Sequence, residues 1–508
     1  MSILRRKTAI FFATLMLAVT LLPAVQSTAA SDEIVLRVCS WEEYIDEGGW
    51  EEDEVIDLES GDIFGENSIV SDFETWYYET YNRHVRVEYS TFGTNEELYS
   101  QLTLGDTYDL VCPSDYMIMK LMSEGMLEPL SESFFDEGIE TNYYIKGVSP
   151  YIRSVFLENE INGEEWGKYA ACFMWGITGF LYNPEKVERE DVLTWSALLD
   201  DKYYRQITIK DNVRDAYFPA LAILNKELLL DRSFVTSEGY HNKLTNIMNV
   251  TDSAAINAAE AILKDIRANV YSFETDSGKA DMVSGKVLIN LQWSGDAVYA
   301  MDQAEEDDLY LYWAVPNECT NLWFDGYAML KNGINGNADK KHAAEAFINY
   351  LSRPDNAVRN MYYIGYTSAI AGGEDERVWE YLEWCYGAEE DEEELIDYDL
   401  NYFFGEEDSE EYVLCAPAEQ MYRQLSAQYP LEEQIEKSAV MDYFDEKANA
   451  EINQMWINVR CFNLSMISLS QWLTALLIIA IIAAGVVIFV NRRSIFARKA
   501  PKGYRRIE

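Results

Sequence analysis

Histidine is nearly absent from this chain: His84, His241 and His342 are the three among 508 residues. No His-Glu-x-x-His arrangement occurs, and the seven cysteines (39, 112, 172, 319, 385, 415 and 461) form no Cys-x-x-Cys pair. Those spacings argue against a zinc site and against a disulfide scaffold. One disulfide, Cys39 to Cys112, is conceivable because both residues end short apolar segments; neighbouring parallel strands equally bury free thiols. A Gly-x-Ser-x-Gly elbow is missing, and with it the usual sign of an extracellular serine hydrolase. A Gly-x-x-x-x-Gly-Lys-Ser/Thr loop is missing too, which excludes a transport ATPase. No repeat of fixed period is present, and no cofactor is expected.

Positive charge is the next scarcity. The chain has 40 Lys and Arg against 88 Asp and Glu, a formal −48. Three of the basic residues (Arg5, Arg6, Lys7) precede an apolar run from Ala9 to about Val25, followed by small residues up to Ala30. That order reads as a secretory signal peptide over 1–30, cleaved after Ala29 or Ala30 or kept as an anchor. Near the other end, Trp472 to Val490 is uncharged and long enough to span a bilayer. Arg492, Arg493, Arg498, Lys499, Lys502, Arg505 and Arg506 follow it. Positive residues stay cytoplasmic, so 471–490 reads as one transmembrane helix, 491–508 as a cytoplasmic tail, and the bulk of the chain as extracellular. Setting both ends aside removes ten basic residues and one acidic one, leaving 30 against 87, a formal −57. Such a surface repels nucleic acid and draws in cations.

Within that acidic body, aromatics and carboxylates recur together. Ile34 to Val38 reads as a buried strand that stops at Cys39-Ser40-Trp41-Glu42-Glu43-Tyr44. The pattern returns at Trp293-Ser294-Gly295-Asp296 and at Trp323-Phe324-Asp325. Open α/β sheets bind ligands at the carboxyl ends of their strands, and aromatic faces with acids suit a cationic, partly apolar ligand. A single tryptophan after a strand is ordinary core; three such clusters point further.

The rest of the chain alternates strand and helix. Ile69, Phe73, Trp76, Tyr77 and Tyr81 recur at helical spacing, Val85–Tyr89 alternates as a strand, and Asn95 is placed to cap the next helix. Asp109–Cys112 is a short strand leading to Ser114-Asp115-Tyr116, and Trp175–Asn183, Gln206–Lys210, Val287–Gln292 and Leu309–Val315 follow as further strands. The Gln206 strand ends on acids again, Asp211 and Asp215. Ala448–Val459 reads as the last helix. This order predicts an α/β fold with a parallel sheet. Two acidic segments, 46–67 and 388–412, read as inserted loops, because runs such as Glu389–Glu394 do not build a core.

The residues resemble the bacterial polyamine-binding proteins, the spermidine/putrescine receptors of ABC importers. Ser40-Trp41-Glu42-Glu43-Tyr44 is similar to the family's Asn/Ser-Trp-x-x-Tyr opening. The likeness continues through Thr94-Asn95-Glu96-Glu97-Leu98, Tyr108 to Ser114, Trp175 to Gly179, Trp293-Ser294-Gly295, Trp323 to Gly326 and Ile364 to Thr367, covering about 34–460 in order. The resemblance implies a two-lobed periplasmic-binding-protein fold of type II with a hinge. Lobe 1 would be 34–174 with 325–372, and lobe 2 would be 175–324 with 373–460. It implies that Trp41, Tyr44, Tyr116, Trp293, Trp323 and Tyr366 flank an alkyl chain. Glu43, Asp211, Asp215 and Asp325 would meet ammonium groups, helped by Ser114 or Asp115. It also implies a permease and an ATPase as partners. The chain departs from the pattern at Asn212, where an acid is frequent, and at Met441, where some spermidine binders carry glutamine.

Other functions give different sequence signs. A glycosidase uses paired acids, but here each acid has an aromatic neighbour. A receptor for a sugar or an amino acid remains open, as does a sensor. An amino-acid carboxylate would need an arginine, and Arg214, the candidate, is expected to hold a neighbouring acid instead. Asp325 has its own alternative reading as the cap of a turn before Gly326.

Overall fold

The strand that begins at Ile34 continues through the first aromatic cluster: β1 is Ile34–Trp41. The computed structural model describes residues 33–51, 54–389, 394–405 and 411–461, with Leu477. Segment 1–30 and, apart from Leu477, the 471–490 run and its basic tail lie outside these residues. Among the described residues no helix is long and apolar enough to cross a membrane.

The helix Ile69–Tyr81 buries Ile69, Phe73 and Tyr77 as its spacing predicts. It returns the chain to β2 (Val85–Phe92), parallel to β1. The helix Asn95–Leu104 then leads to β3 (Leu110–Val111), parallel to β1 on its other side. Helix 95–104 is capped one residue earlier than expected. The Thr94 hydroxyl accepts from the Glu97 amide at 3.1 Å. Asn95 is buried and uses both ends of its amide on Ser114, which ties this helix to the end of β3.

After β4 (Leu127–Glu128) and a small hairpin of β5 (Glu160–Ile161) and β6 (Glu164–Glu165), the chain enters β7 (Ala170–Tyr182). Then come β8 (Ile207–Lys210), β9 (Ser272–Glu274), β10 (Ile289–Trp293), β11 (Tyr312–Ala314) and β12 (Thr320–Leu330). Every residue of β7 and β12 is buried, as expected of strands covered on both faces. The order across the sheet is β2-β1-β3-β12-β7-β10-β8-β9. The parallel set β2-β1-β3 is therefore joined to the parallel set β10-β8-β9 through the antiparallel pair β12 and β7. The architecture is mixed α/β, not purely parallel. The last helix is Glu446–Arg460.

The described residues of both acidic insertions pack into the protein, contrary to the reading of them as plain loops. In 46–67, Trp50, Ile56, Leu58 and Ile63 are buried. Asp46 is fully buried and accepts from Arg359 at 2.8 Å and from the Trp50 indole at 3.2 Å. Gly48 has φ +74°, and a Cβ there would fall 2.2 Å from the Asn67 backbone, so only glycine closes the base of this segment. In 388–412, residues 390–393 and 406–410 are not among those described. Beyond β13 (Thr367–Ser368), the strands β14 (Leu395–Asp399) and β15 (Val413–Pro417) pair as a hairpin. Between its strands Phe403 stacks on Trp175 with centroids 5.4 Å apart, and Tyr398, Leu400 and Phe404 are buried. The apolar residues interspersed among the acids decide where these segments go.

Cys39 and Cys112 sit side by side in the sheet as buried free thiols. The pairing conceived from their positions does not form.

Candidate functional site

The end of β1 turns sharply. Glu43 has φ +51°, a left-handed conformation uncommon outside glycine, and it sends Tyr44 into the protein while Glu43 stays at the rim. The helix Asp115–Ser123 starts at the end of β3, and the helix Ser294–Glu305 starts directly after Trp293 at the end of β10. β12 crosses between these strand ends. Its residues Trp323 and Asp325, two apart in an extended strand, face the same way. Asp325 lies at a bulge within β12, paired across to Ser114, so it does not cap a turn.

These ends enclose a cavity of about 500 Å³. Eleven of the twelve residues singled out in the sequence line it: Trp41, Glu43, Tyr44, Ser114, Asp115, Tyr116, Asp215, Trp293, Trp323, Asp325 and Tyr366. Asp211 does not. Its carboxylate reaches Arg460 at 2.8 Å, while Asn212, Arg214 and Asp215 after it face the cavity. The two departures, Asn212 and Met441, line the cavity as neutral groups.

Two motif glycines have a steric purpose here. A Cβ on Gly176 would fall 2.6 Å from the Trp323 ring, and one on Gly295 would fall 2.3 Å from the Tyr366 ring. Each lets an aromatic lie flat against backbone. Tyr366 contacts Tyr44 and Trp323 with centroids 4.9 and 5.8 Å away, and Trp41 meets Trp293 edge-on at 6.3 Å.

The acids in this wall are not equivalent. Asp115 is spent on the protein, accepting from the amides of Tyr116 and Phe324 at 2.6 and 3.1 Å; burial raises its carboxyl well above the usual range. Asp296 accepts from Lys210 and from the Tyr366 hydroxyl, both at 2.9 Å. Burial works to raise Asp296, but Lys210 and Lys279 more than offset it and hold the group low. Asp215 and Asp325 have no lysine or arginine within ion-pair distance among the described residues. Asp325 accepts from the Tyr44 hydroxyl at 2.6 Å, while its other oxygen is buried and unpartnered. Asp215 accepts from the Trp293 indole at 3.0 Å. Burial pushes both carboxyls up to about 6, and for Asp325 the charge of Asp215 adds to that rise. The indole N–H groups of Trp41 and Trp323 are also buried without a partner.

Arg214 makes no ion pair with an acid among the described residues, though its charge acts to lower Asp115 and Asp215. It donates to the Asp442 backbone carbonyl at 2.7 Å and stacks between Tyr116 and Phe444. Sequence reasoning quoted Asp296 beside Trp293 without selecting it, and passed over Lys210 and Lys279. Lys210 lies inside β8, its ammonium 4.1 Å from the Trp293 ring centre; an isolated lysine in an apolar strand is the one signal that could have found it. Among the described residues no group of three or more His, Cys, Asp or Glu is arranged to hold a metal ion.

Comparisons with known proteins agree on kinship. The spermidine/putrescine-binding periplasmic protein of Escherichia coli is 30% identical over 285 residues, 56% of this chain and 70% of that protein. Its namesake in Salmonella typhimurium is 29% identical over the same length, with the same coverage. The spermidine/putrescine ABC transporter substrate-binding protein PotD of Streptococcus pneumoniae superposes with a TM-score of 0.52 at 22% identity, covering 84% of this chain and 98% of that one; this likeness concerns the fold. Residues 68–381 match the family described as bacterial extracellular solute-binding protein. The chain therefore belongs to the bacterial extracellular solute-binding protein family.

Proposed function

We propose that this protein is an extracellular receptor for polyamines of the putrescine and spermidine type, which hands its ligand to an ABC permease and its ATPase by cleft closure. The observation that carries this reading is the pair Asp215 and Asp325: two buried carboxylates with no lysine or arginine within ion-pair distance among the described residues, inside an aromatic-walled cavity. A buried charge without a partner is costly, and a ligand ammonium relieves that cost. Indole and phenol faces cover the methylene chain and add about 0.5–2 kcal/mol of cation–π attraction each. In this reading the strands on either side of β7 and β12 form the two lobes, with the boundaries 34–174 with 325–372 and 175–324 with 373–460. The apolar run 472–490 tethers the domain to the cell membrane.

The test is isothermal titration of putrescine into the full-length protein and two variants. Asp325→Asn keeps the shape but leaves an ammonium without its anion, which costs about 2–5 kcal/mol, so affinity should fall roughly thirtyfold or more. Trp323→Leu loses cation–π contact but keeps apolar cover and should do less harm. Unchanged affinity in a folded Asp325→Asn protein removes this residue from the site.

A further inference from the structure

Lys279 is a cation that the protein supplies to its own cavity. It lies on the short helix Gly278–Val283, its side chain is 15% exposed, and it lines the cavity beside Tyr299. Its ammonium is 2.8 Å from Asp276, 3.5 Å from Asp296 and 3.5 Å from Glu43. Asp276 and Glu43 are largely exposed and Asp296 is buried, so Lys279 stands at the mouth, reaching from rim to interior. Glu43 follows β1, whereas Asp276 and Asp296 flank β9 and β10, so the lysine bridges both sides of the opening. Burial acts to lower its pKa, yet the three acids outweigh burial and keep the amine protonated.

The charge pattern then divides the cavity in two. At the mouth, three carboxylates already share Lys279, and Asp296 has Lys210 as well. Asp215 and Asp325, by contrast, have no lysine or arginine within ion-pair distance among the described residues. The other acids of the wall are poor partners for a third amine: Asp115 is spent on the Tyr116 and Phe324 amides, and Glu42 and Glu47 are exposed at the rim, where water screens a pair; Asn212 and Met441 are neutral, and Arg214 is itself cationic. A ligand with two ammonium groups therefore meets two unpaired carboxylates, while a third ammonium would meet the amine of Lys279.

Resting on the polyamine reading above, we propose that Lys279 is a specificity-determining residue whose ammonium fills the mouth-side cation position, so that diamines are favoured over triamines. Removing the charge frees Asp276 and Glu43 for a third ligand ammonium and leaves Asp296 shared with Lys210 alone. Reversing it adds a further acid at the same place.

Putrescine and spermidine are titrated calorimetrically into the full-length protein, Lys279→Met and Lys279→Glu. The wild type should bind putrescine more tightly than spermidine. Lys279→Met should raise spermidine affinity at least tenfold, about 1.4 kcal/mol, with putrescine changed by less than about threefold. Lys279→Glu should favour spermidine at least as strongly, which covers the case of one variant failing to fold. A wild type that binds putrescine while both folded variants keep its spermidine-to-putrescine ratio overturns the role of Lys279. A wild type that binds neither amine overturns the polyamine reading and this inference together.

Discussion

At Asp215 and Asp325 burial and function pull in opposite directions. Each carboxyl is raised to about 6 because burial removes its water, and for Asp215 the charges of Lys210 and Arg214 offset that rise only in part. An ammonium binds the carboxylate, not the acid. Above pH 6 both groups are mostly ionised and ready; as pH falls through 6, each protonated carboxyl must release its proton before it can pair. Affinity for putrescine should thus fall below pH 6, approaching tenfold per pH unit for each acid. Titration at about pH 7.5 and about pH 5 reads this directly, with at least tenfold weakening expected at the lower pH. Equal affinity at both would mean that neither carboxylate meets the ligand's charge. Asp296 does not share this dependence, since Lys210 and Lys279 hold it low.

At the scale of elements, the 388–412 segment offers the clearest test of packing. Phe403 is fully buried against Trp175 of β7, and the Ser149 hydroxyl donates to its carbonyl at 2.6 Å. Phe403→Ala should destabilise the protein by about 3–5 kcal/mol, measured by denaturant unfolding; a loss under about 1 kcal/mol would mean that the insertion is only draped on the surface. This segment also shows where sequence reading stops. Most of its charge run, 390–393, lies outside the described residues, and charge counting hides Tyr398, Leu400 and Phe403 beyond it. The same holds for 46–67, where the buried Asp46–Arg359 pair joins residues far apart in sequence. Elements carried by local periodicity were legible: the helix at 69–81, β1, β2 and β10 lie close to where their patterns place them, whereas β7 begins five residues before the expected Trp175. So were the cavity residues at strand ends, since a strand end is a local feature. Asp211 shows the limit, because four residues across a helix start separate a carboxylate on Arg460 from the carboxylate of Asp215 in the cavity. Lys279 had no local signal, since its meaning comes from three acids brought together from both sides of the opening.

For the whole molecule, orientation and ligand are the two remaining questions. If 472–490 spans the membrane with its basic tail inside, protease added to intact cells should destroy the large domain and leave a protected C-terminal fragment of a few kilodaltons. Full-length protein recovered in the culture medium with its tail intact would contradict that orientation. The central claim is that the cavity between β1, β10 and β12 recognises amines by unpaired carboxylates. Calorimetry of the full-length protein against putrescine, spermidine, spermine and a panel of amino acids and sugars tests it most directly. The account predicts saturable binding of polyamines, putrescine foremost, and none of the amino acids or sugars. Binding of an amino acid or a sugar with no response to any polyamine would contradict it.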